Sequence, residues 1–496
     1  MKRLGGTDAL FLSMETPFWH QHVGVLTIID PGERTITYDD VLKRLDDRVR
    51  YAPKFTWKIK ETPFGFDRPV WVDDVNFDVR RHVRRIAVPS PGGARELGEV
   101  AGTLMSSQLD RRRPLWELWF IEGAAGDKVA MLLKYHHCLL DGKAGASLAT
   151  VILDLDPDSD ACLAPLPSEE ESKAGAEPGD LGLITRALLP DLRRPIRALR
   201  YAGDLAARGI TVVNRLRTDQ ENRAILQSPK APWNGDIGPR RELAFSSIAM
   251  ADVVAVKRRH DVKVNDIVLA VVAGAFRRYL DRHQVTLGAP LVSAVPVSTR
   301  AEGDTSMDNQ VTFMFVSLAT DLNDPLERLS AIQKSTQSAK AMQKAIGARE
   351  IQSLGEVATP LILSTVTKTI YRTHLMSRSP IGGTVISNVP GPPVPLFMCG
   401  GQVVGIFPCS VIIPPTGLNV TVFSYMDRLD FGFHVDPDLV PDVWDICNEL
   451  HDSMFELMQA SGLGKPTPVR LPWKPMSSAP RRTHTSRRAQ TARPSR

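Results

Sequence analysis

Residues 379–426 are 48 consecutive positions without one charged side chain, and they restrict the possible folds more than any other part of the chain. An uncharged stretch of that length belongs in a protein interior or in a bilayer. It contains eight prolines and seven glycines. Proline removes a helical hydrogen bond and clashes with the preceding turn, so no helix can span a membrane there. β-Branched runs alternate with the Pro/Gly turns, and the block is expected to form buried strands joined by rigid loops. With 496 residues the chain exceeds one ordinary domain, and two or three lobes are expected. Its mixture of 43% hydrophobic and 24% charged residues excludes a wholly disordered or fibrous protein.

The net charge of +5 misleads. Residues 457–496 hold nine Lys or Arg and no acidic residue, so the remainder is mildly acidic and the basicity lies in a tail. Nucleic-acid binding is therefore not indicated. Five scattered cysteines without a C-x-x-C pair fit a reducing compartment and give no support to a zinc site. The N-terminus meets Asp8 and Glu15 before any apolar run and does not read as a signal peptide. The apolar run 267–276 is ten residues long, where a membrane span needs about twenty. A soluble or peripheral, cytoplasmic protein is expected.

Four segments follow from composition. Residues 1–155 alternate strands and helices, with strands expected at 115–121 and 129–135. Residues 156–181 are acidic and contain Pro and Ser without an apolar period, as an exposed linker would. Within the same 156–235 segment, apolar residues recur at helical spacing from Leu192 to Val213, with five arginines between them and Arg215 just beyond. That helix either packs its stripe on the core or lies on an anionic membrane surface, held there by its arginines and those of the tail. Residues 236–463 make a second lobe, with helices expected at 265–279 and 324–344 and a strand at 291–297. Beyond 464 the low-complexity tail is expected to be disordered.

The chemistry points to HHCLLDG, residues 136–142. Adjacent histidines on a strand face opposite sides, so His136 and His137 cannot both serve one metal. One of them can face a cleft while its neighbour packs behind. Asp141 can accept a hydrogen bond or pair with an arginine to fix the loop, and Gly142 permits a tight turn. An imidazole, neutral and basic near pH 7, suits general-base activation of an acceptor hydroxyl or amine. There is no nucleophile elbow, Walker loop or G-x-G-x-x-G, and nothing calls for a nucleotide, flavin or metal.

HHxxxDG in a chain of this length resembles the CoA-dependent acyltransferase superfamily, and within it the bacterial wax ester synthase/diacylglycerol acyltransferase family. The likeness also rests on LGGTDALFLSMETP (4–17), RRRPLWELWFIEG (111–123) with its PLW motif, and VNDIVLAVVAGAFRRYL (264–280) with its ND motif. VPVSTR (295–300), Asp324-Pro325 with Glu327-Arg328, and SNVPGPP (387–393) follow in the family's order. The resemblance implies an α/β fold of two chloramphenicol-acetyltransferase-like lobes with a channel between them. Acyl-CoA would enter from one mouth and the acceptor from the other. It makes His137 the general base, His136 a supporting residue and Asp141 a structural partner of an arginine. Gly142, Asn265 and Asp266 are supporting positions. Asn265 is either an active-site polar group or the cap of its helix. Pro114, Leu115 and Trp116 shape the fold or the acyl tunnel, and Arg300 pairs with Asp141 or meets a CoA phosphate.

The implied reaction carries a long-chain acyl group from acyl-CoA, as substrate rather than cofactor, to diacylglycerol or to a long-chain alcohol. Two alternatives stay open. One is an acyltransferase fed by a carrier protein, and the other is a catalytically weak protein that binds lipid surfaces. Peripheral association with the inner membrane face or with lipid droplets would bring the enzyme to its substrates.

Overall fold

The computed structural model describes residues 2–65, 67–139, 151–159, 162, 165–188, 228–298, 311–346, 364–365, 367–369, 373 and 383–469. Asp141, Gly142, Arg300, the basic stretch from Leu192 onward and the tail from residue 470 lie outside the described residues.

The strands are β1 (Lys2–Arg3), β2 (His22–Asp30), β3 (Trp57–Lys60), β4 (Val70–Asp73), β5 (Val83–Ala87), β6 (Trp116–Ala124), β7 (Lys128–His136) and β8 (Glu242–Ala249). After them come β9 (Val292–Ser298), β10 (Val311–Ser317), β11 (Thr384–Val389), β12 (Phe397–Met398), β13 (Gly401–Cys409), β14 (Leu418–Tyr425) and β15 (Arg428–Val435). The helices are α1 (Gly6–Met14), α2 (Tyr38–Arg48), α3 (Ala94–Met105), α4 (Glu169–Ser172), α5 (Asp180–Leu188), α6 (Met250–His260), α7 (Val264–Arg282), α8 (Pro325–Ile346) and α9 (Val443–Ala460).

Two six-stranded sheets carry the architecture, in the orders β12-β13-β2-β7-β6-β5 and β10-β9-β11-β14-β15-β8, and a small sheet β1-β4-β3 stands beside the first. The strands expected at 115–121, 129–135 and 291–297 and the helices expected at 265–279 and 324–344 are present as β6, β7, β9, α7 and α8. Residues 266–276 of α7 are buried without interruption, as befits a helix that is apolar all round. Asp324 caps α8, accepting hydrogen bonds from the Leu326 and Glu327 amides at 2.8 and 2.9 Å.

The uncharged block forms strands, as expected, but they divide between the two sheets. β11 and β14 lie in the second sheet, while β12 and β13 complete the edge of the first, with β13 antiparallel to β2. The seam between the sheets is read along β15, where alternate residues abut β13. The buried Asp430 carboxylate accepts the Ile406 amide at 2.8 Å. A Cβ on Gly432 would overlap the Pro408 carbonyl, so only glycine allows this approach. The His434 Nδ1 meets the Ser410 carbonyl at 2.7 Å. Helix α3 bridges the same seam, with Gly98 and Gly102 against the backbone of Leu243 and Arg241.

The acidic stretch after residue 155 is exposed but tied down. Asp73 accepts the amides of Ala174 and Gly175 at 2.8 and 3.0 Å, and Glu177 pairs with Lys58 at 2.9 Å and Lys60 at 3.4 Å. An attachment made through backbone amides and ion pairs leaves no apolar period to read in a sequence.

Candidate active site

Strand β7 ends at His136, and a turn closed by the Leu139 amide on the His136 carbonyl (2.9 Å) carries His137. The main chain of the pair is pinned on both sides. The His136 amide donates to the Leu115 carbonyl at 3.0 Å, and the His137 amide to that of Gln21 at 2.8 Å. This anchoring gives Leu115 of the PLW motif a structural task.

The two rings part company, as opposite faces require, although the strand stops one residue earlier than strict alternation implies. His136 is buried, and its Nδ1 accepts the Cys138 amide at 3.1 Å. The ring proton therefore sits on Nε2, which lies 3.9 Å from Glu15 Oε2. Burial, then the Arg111 charge, pushes the His136 pKa far below its ordinary value, so this imidazole is neutral. His137 is half-buried and stacks on Phe11 of α1, with centroids 4.3 Å apart and planes at 12°. It is the less buried member of the pair.

Sequence reasoning assigned no role to Phe11, Glu15 or Arg111. The Arg111 guanidinium reaches Glu15 Oε2 at 2.8 and 3.1 Å, the Leu12 carbonyl at 2.8 Å and Glu61 at 3.1 Å. It fixes the end of α1 against the histidine turn. The available signal was that both residues stand in the stretches that carry the family likeness.

Asn265 and Asp266 open α7. Asp266 accepts the Lys263 amide at 3.0 Å and the Thr336 hydroxyl at 2.8 Å, so both its oxygens serve the helix start and the α7–α8 packing. Of the two roles open to Asn265, capping falls to Asp266, because the helix begins at Val264 and the third helical residue is the one that reaches back. Among the described residues one set of possible metal ligands occurs, His283, Asp442 and Asp445, at the ends of α7 and α9. There His283 Nε2 already lies 3.0 Å from Asp442, which also accepts the Tyr279 hydroxyl at 2.8 Å.

The face of β7 behind His136 carries unusual polarity. Lys134, fully buried, donates to the carbonyls of Leu104 (2.9 Å) and Ser107, neutralising the C-terminal end of α3; burial lowers its pKa to about 8. His22, opposite His136 in register, holds the Met105 carbonyl at 2.8 Å. His20 stacks on His22 at 5.1 Å. Each of His20, His22 and His434 gives one ring N–H to a backbone carbonyl, so each second nitrogen is a bare acceptor, and all three are buried without a hydrogen-bond partner. Burial lowers all three pKa values, that of His434 to about 3 with Arg241 contributing.

Below the ordinary histidine pKa of about 6.5, the unfolded chain takes up protons that these folded rings refuse. Stability is therefore whole above that pH and is lost as pH falls toward the folded value. His434 alone is expected to remove about 2 kcal/mol between pH 7 and pH 5. His434→Gln should flatten urea-unfolding free energies across that interval by a similar amount. An equally steep acid limb in the variant would refute the assignment.

With this geometry in view, comparison with known proteins is direct. The wax ester synthase/diacylglycerol acyltransferase catalytic domain matches residues 4–268, and the WS/DGAT C-terminal domain matches residues 307–458. A Mycobacterium tuberculosis protein named for diacylglycerol O-acyltransferase activity is 36% identical over 469 residues, covering 93% of this chain and 91% of its own. The solved wax ester synthase/diacylglycerol acyltransferase from Marinobacter aquaeolei VT8 superposes with a TM-score of 0.66 at 28% identity, over 93% of this chain and 100% of that one. A trichothecene 15-O-acetyltransferase from Fusarium sporotrichioides, at 11% identity and a TM-score of 0.57 over 92% and 95%, shares the fold. The two-lobed α/β architecture and the HHxxxDG histidines thus have one common explanation: this chain belongs to the wax ester synthase/diacylglycerol acyltransferase family.

Proposed function

We propose that the protein transfers a long-chain acyl group from acyl-CoA to the free hydroxyl of diacylglycerol, giving triacylglycerol, with His137 as general base. The observation that carries this reading is the division of labour at the end of β7. His136 is locked and neutral in the core, while His137 is half-buried on Phe11. His137 removes the hydroxyl proton as the oxygen attacks the thioester carbonyl. The tetrahedral oxyanion collapses, the C–S bond breaks, and the departing thiolate takes the proton from the imidazolium. A channel between the lobes holds both substrates and supplies proximity, so no acyl-enzyme forms. Thioester acyl transfer needs no cofactor beyond the donor itself.

His136 and the Glu15–Arg111 pair hold the turn that aims His137. Asp141 and Gly142 shape the loop that follows it, and Asn265 lends a polar group from the opposite lobe. Long-chain alcohols serve as a second acceptor class, giving wax esters. Among the described residues no helix is long and apolar enough to cross a membrane, and the enzyme reaches its substrates at a lipid surface from the cytoplasmic side.

Purified protein given palmitoyl-CoA with dioleoylglycerol, and in parallel with hexadecanol, is expected to release CoA and form triacylglycerol faster than wax ester. Release of CoA with neither acceptor would refute the reading.

A further inference from the structure

Two buried N–H groups beside the histidine turn have nothing to donate to. Gln21 is 1% exposed and Trp19 8%, yet Gln21 Nε2 and Trp19 Nε1 are both without a hydrogen-bond partner. A donor left unsatisfied in the interior lowers stability, and nearly all such groups in folded proteins are paired. These two call for a partner that arrives with a ligand.

The main chain sets where they stand. The Gln21 carbonyl accepts the His137 amide at 2.8 Å, so Gln21 lies across from the proposed base. His20 and His22 stack on one another on the side of α3, where His22 holds the Met105 carbonyl. Alternation along the chain turns Gln21 the other way, with Val23. Val23 and Trp19 pack there with Met14 at the end of α1 and with Val411 and Ile412, which follow β13. His137 stacks on Phe11 of that same helix α1. The charges at hand are already engaged, Glu15 by Arg111, and Arg241 by the carbonyls of Phe18, Gly238 and Arg240. The place therefore offers two N–H donors between apolar walls from both halves of the chain.

An uncharged oxygen acceptor carried on an apolar molecule fits these groups. In diacylglycerol the free hydroxyl stands beside two ester carbonyls, which accept hydrogen bonds and donate none. A long-chain alcohol has only its hydroxyl, and the base takes that. We propose that Gln21, with Trp19 two residues away, selects the acceptor: their N–H groups bind ester carbonyls of diacylglycerol while its hydroxyl meets His137. The inference rests on the reading of His137 as base and of diacylglycerol as an acceptor. A site built to hydrogen-bond a substrate rejects the analogue that lacks the acceptor atom, because its buried donors then stay unpaired.

The test sets Gln21→Met against three acceptors in the full-length chain: dioleoylglycerol, its dioleyl ether counterpart without carbonyls, and hexadecanol. Trp19→Phe, which removes the second N–H and keeps an aromatic ring, is the companion variant should Gln21→Met fold poorly. Neither breaks a side-chain hydrogen bond made within the fold. With palmitoyl-CoA as donor, the parent is expected to prefer dioleoylglycerol to the ether by about 10–100-fold in kcat/KM, and the variants to lose most of that preference. Their loss on dioleoylglycerol should likewise exceed their loss on hexadecanol. A preference that survives in the variants overturns the proposal. So does an equal loss on all three acceptors, which would put the donors on the thioester oxygen instead. A parent that transfers nothing to dioleoylglycerol would refute the functional reading, and binding of dioctanoylglycerol and its dioctyl ether, measured without acyl donor, still tests the donors. Tighter binding of the ester by the parent, lost in Gln21→Met, supports the assignment, and equal binding by parent and variant removes it.

Discussion

His137→Ala is expected to lower acyl transfer by about 100-fold or more while leaving the protein folded. A general base contributes about 10²–10⁴ in rate. Removing this half-buried ring also gives up its stack on Phe11, worth about 0.5–1.5 kcal/mol. His136→Ala should behave in the opposite sense. It opens a cavity in the core and strips the Cys138 amide of its acceptor, so a loss on the order of 2–4 kcal/mol is expected, with a smaller effect on turnover per folded molecule. Initial rates with palmitoyl-CoA and dioleoylglycerol, set beside thermal melts of both variants, separate the two roles. Equal and small rate losses at both positions would remove His137 from the chemistry.

The largest effect on stability is expected at Asp154. Its carboxylate is buried and lies 2.6 Å from both Arg44 and Arg48 of α2, and Arg48 is itself buried. Its backbone pairs with Phe397 in β12, so one residue joins an N-terminal helix, the entry to the linker and a strand from far along the chain. Asp154→Ala takes from Arg44 and Arg48 the carboxylate that they share, and a buried pair broken on one side loses about 3–5 kcal/mol. Combining Asp154→Leu with Arg48→Met should restore part of that, because the more deeply buried arginine charge goes with the carboxylate while the less buried Arg44 remains. Urea unfolding at pH 7 measures both. An Asp154→Ala variant within 1 kcal/mol of the parent would show that solvent already reaches the site.

What could be read in advance depended on the range of the interaction. The apolar runs of β6, β7 and β9 and the helical spacing of α7 and α8 are local patterns, and each element formed where expected. The strand that carries His136 is likewise local, whereas His137 lies in the turn just beyond it, where strand alternation no longer applies. Glu15 and Arg111 stand 96 residues apart, and nothing near either of them announces the other. The same is true of Asp154 and Phe397. The uncharged block declared itself as buried strands, but alternation along a strand does not say which sheet will accept it. Capping, one of the two roles open to Asn265, went to its neighbour Asp266 because it depends on where the helix begins, the least legible property of a helix.

The crossing of β12 and β13 into the first sheet also sets an order of events during synthesis. When β7 leaves the ribosome, β2 has one neighbour and an open edge, and β13 is about 270 residues away. At about 5–20 residues per second the edge stays bare for roughly 15–55 s. An unpaired strand edge is a template for pairing with other chains, so the nascent N-terminal half is exposed to aggregation throughout that interval. Expression of residues 1–235 alone would prolong the condition indefinitely, and soluble protein is not to be sought from such a fragment. Adding residues 383–435 as a separate chain would offer β2 its missing neighbour.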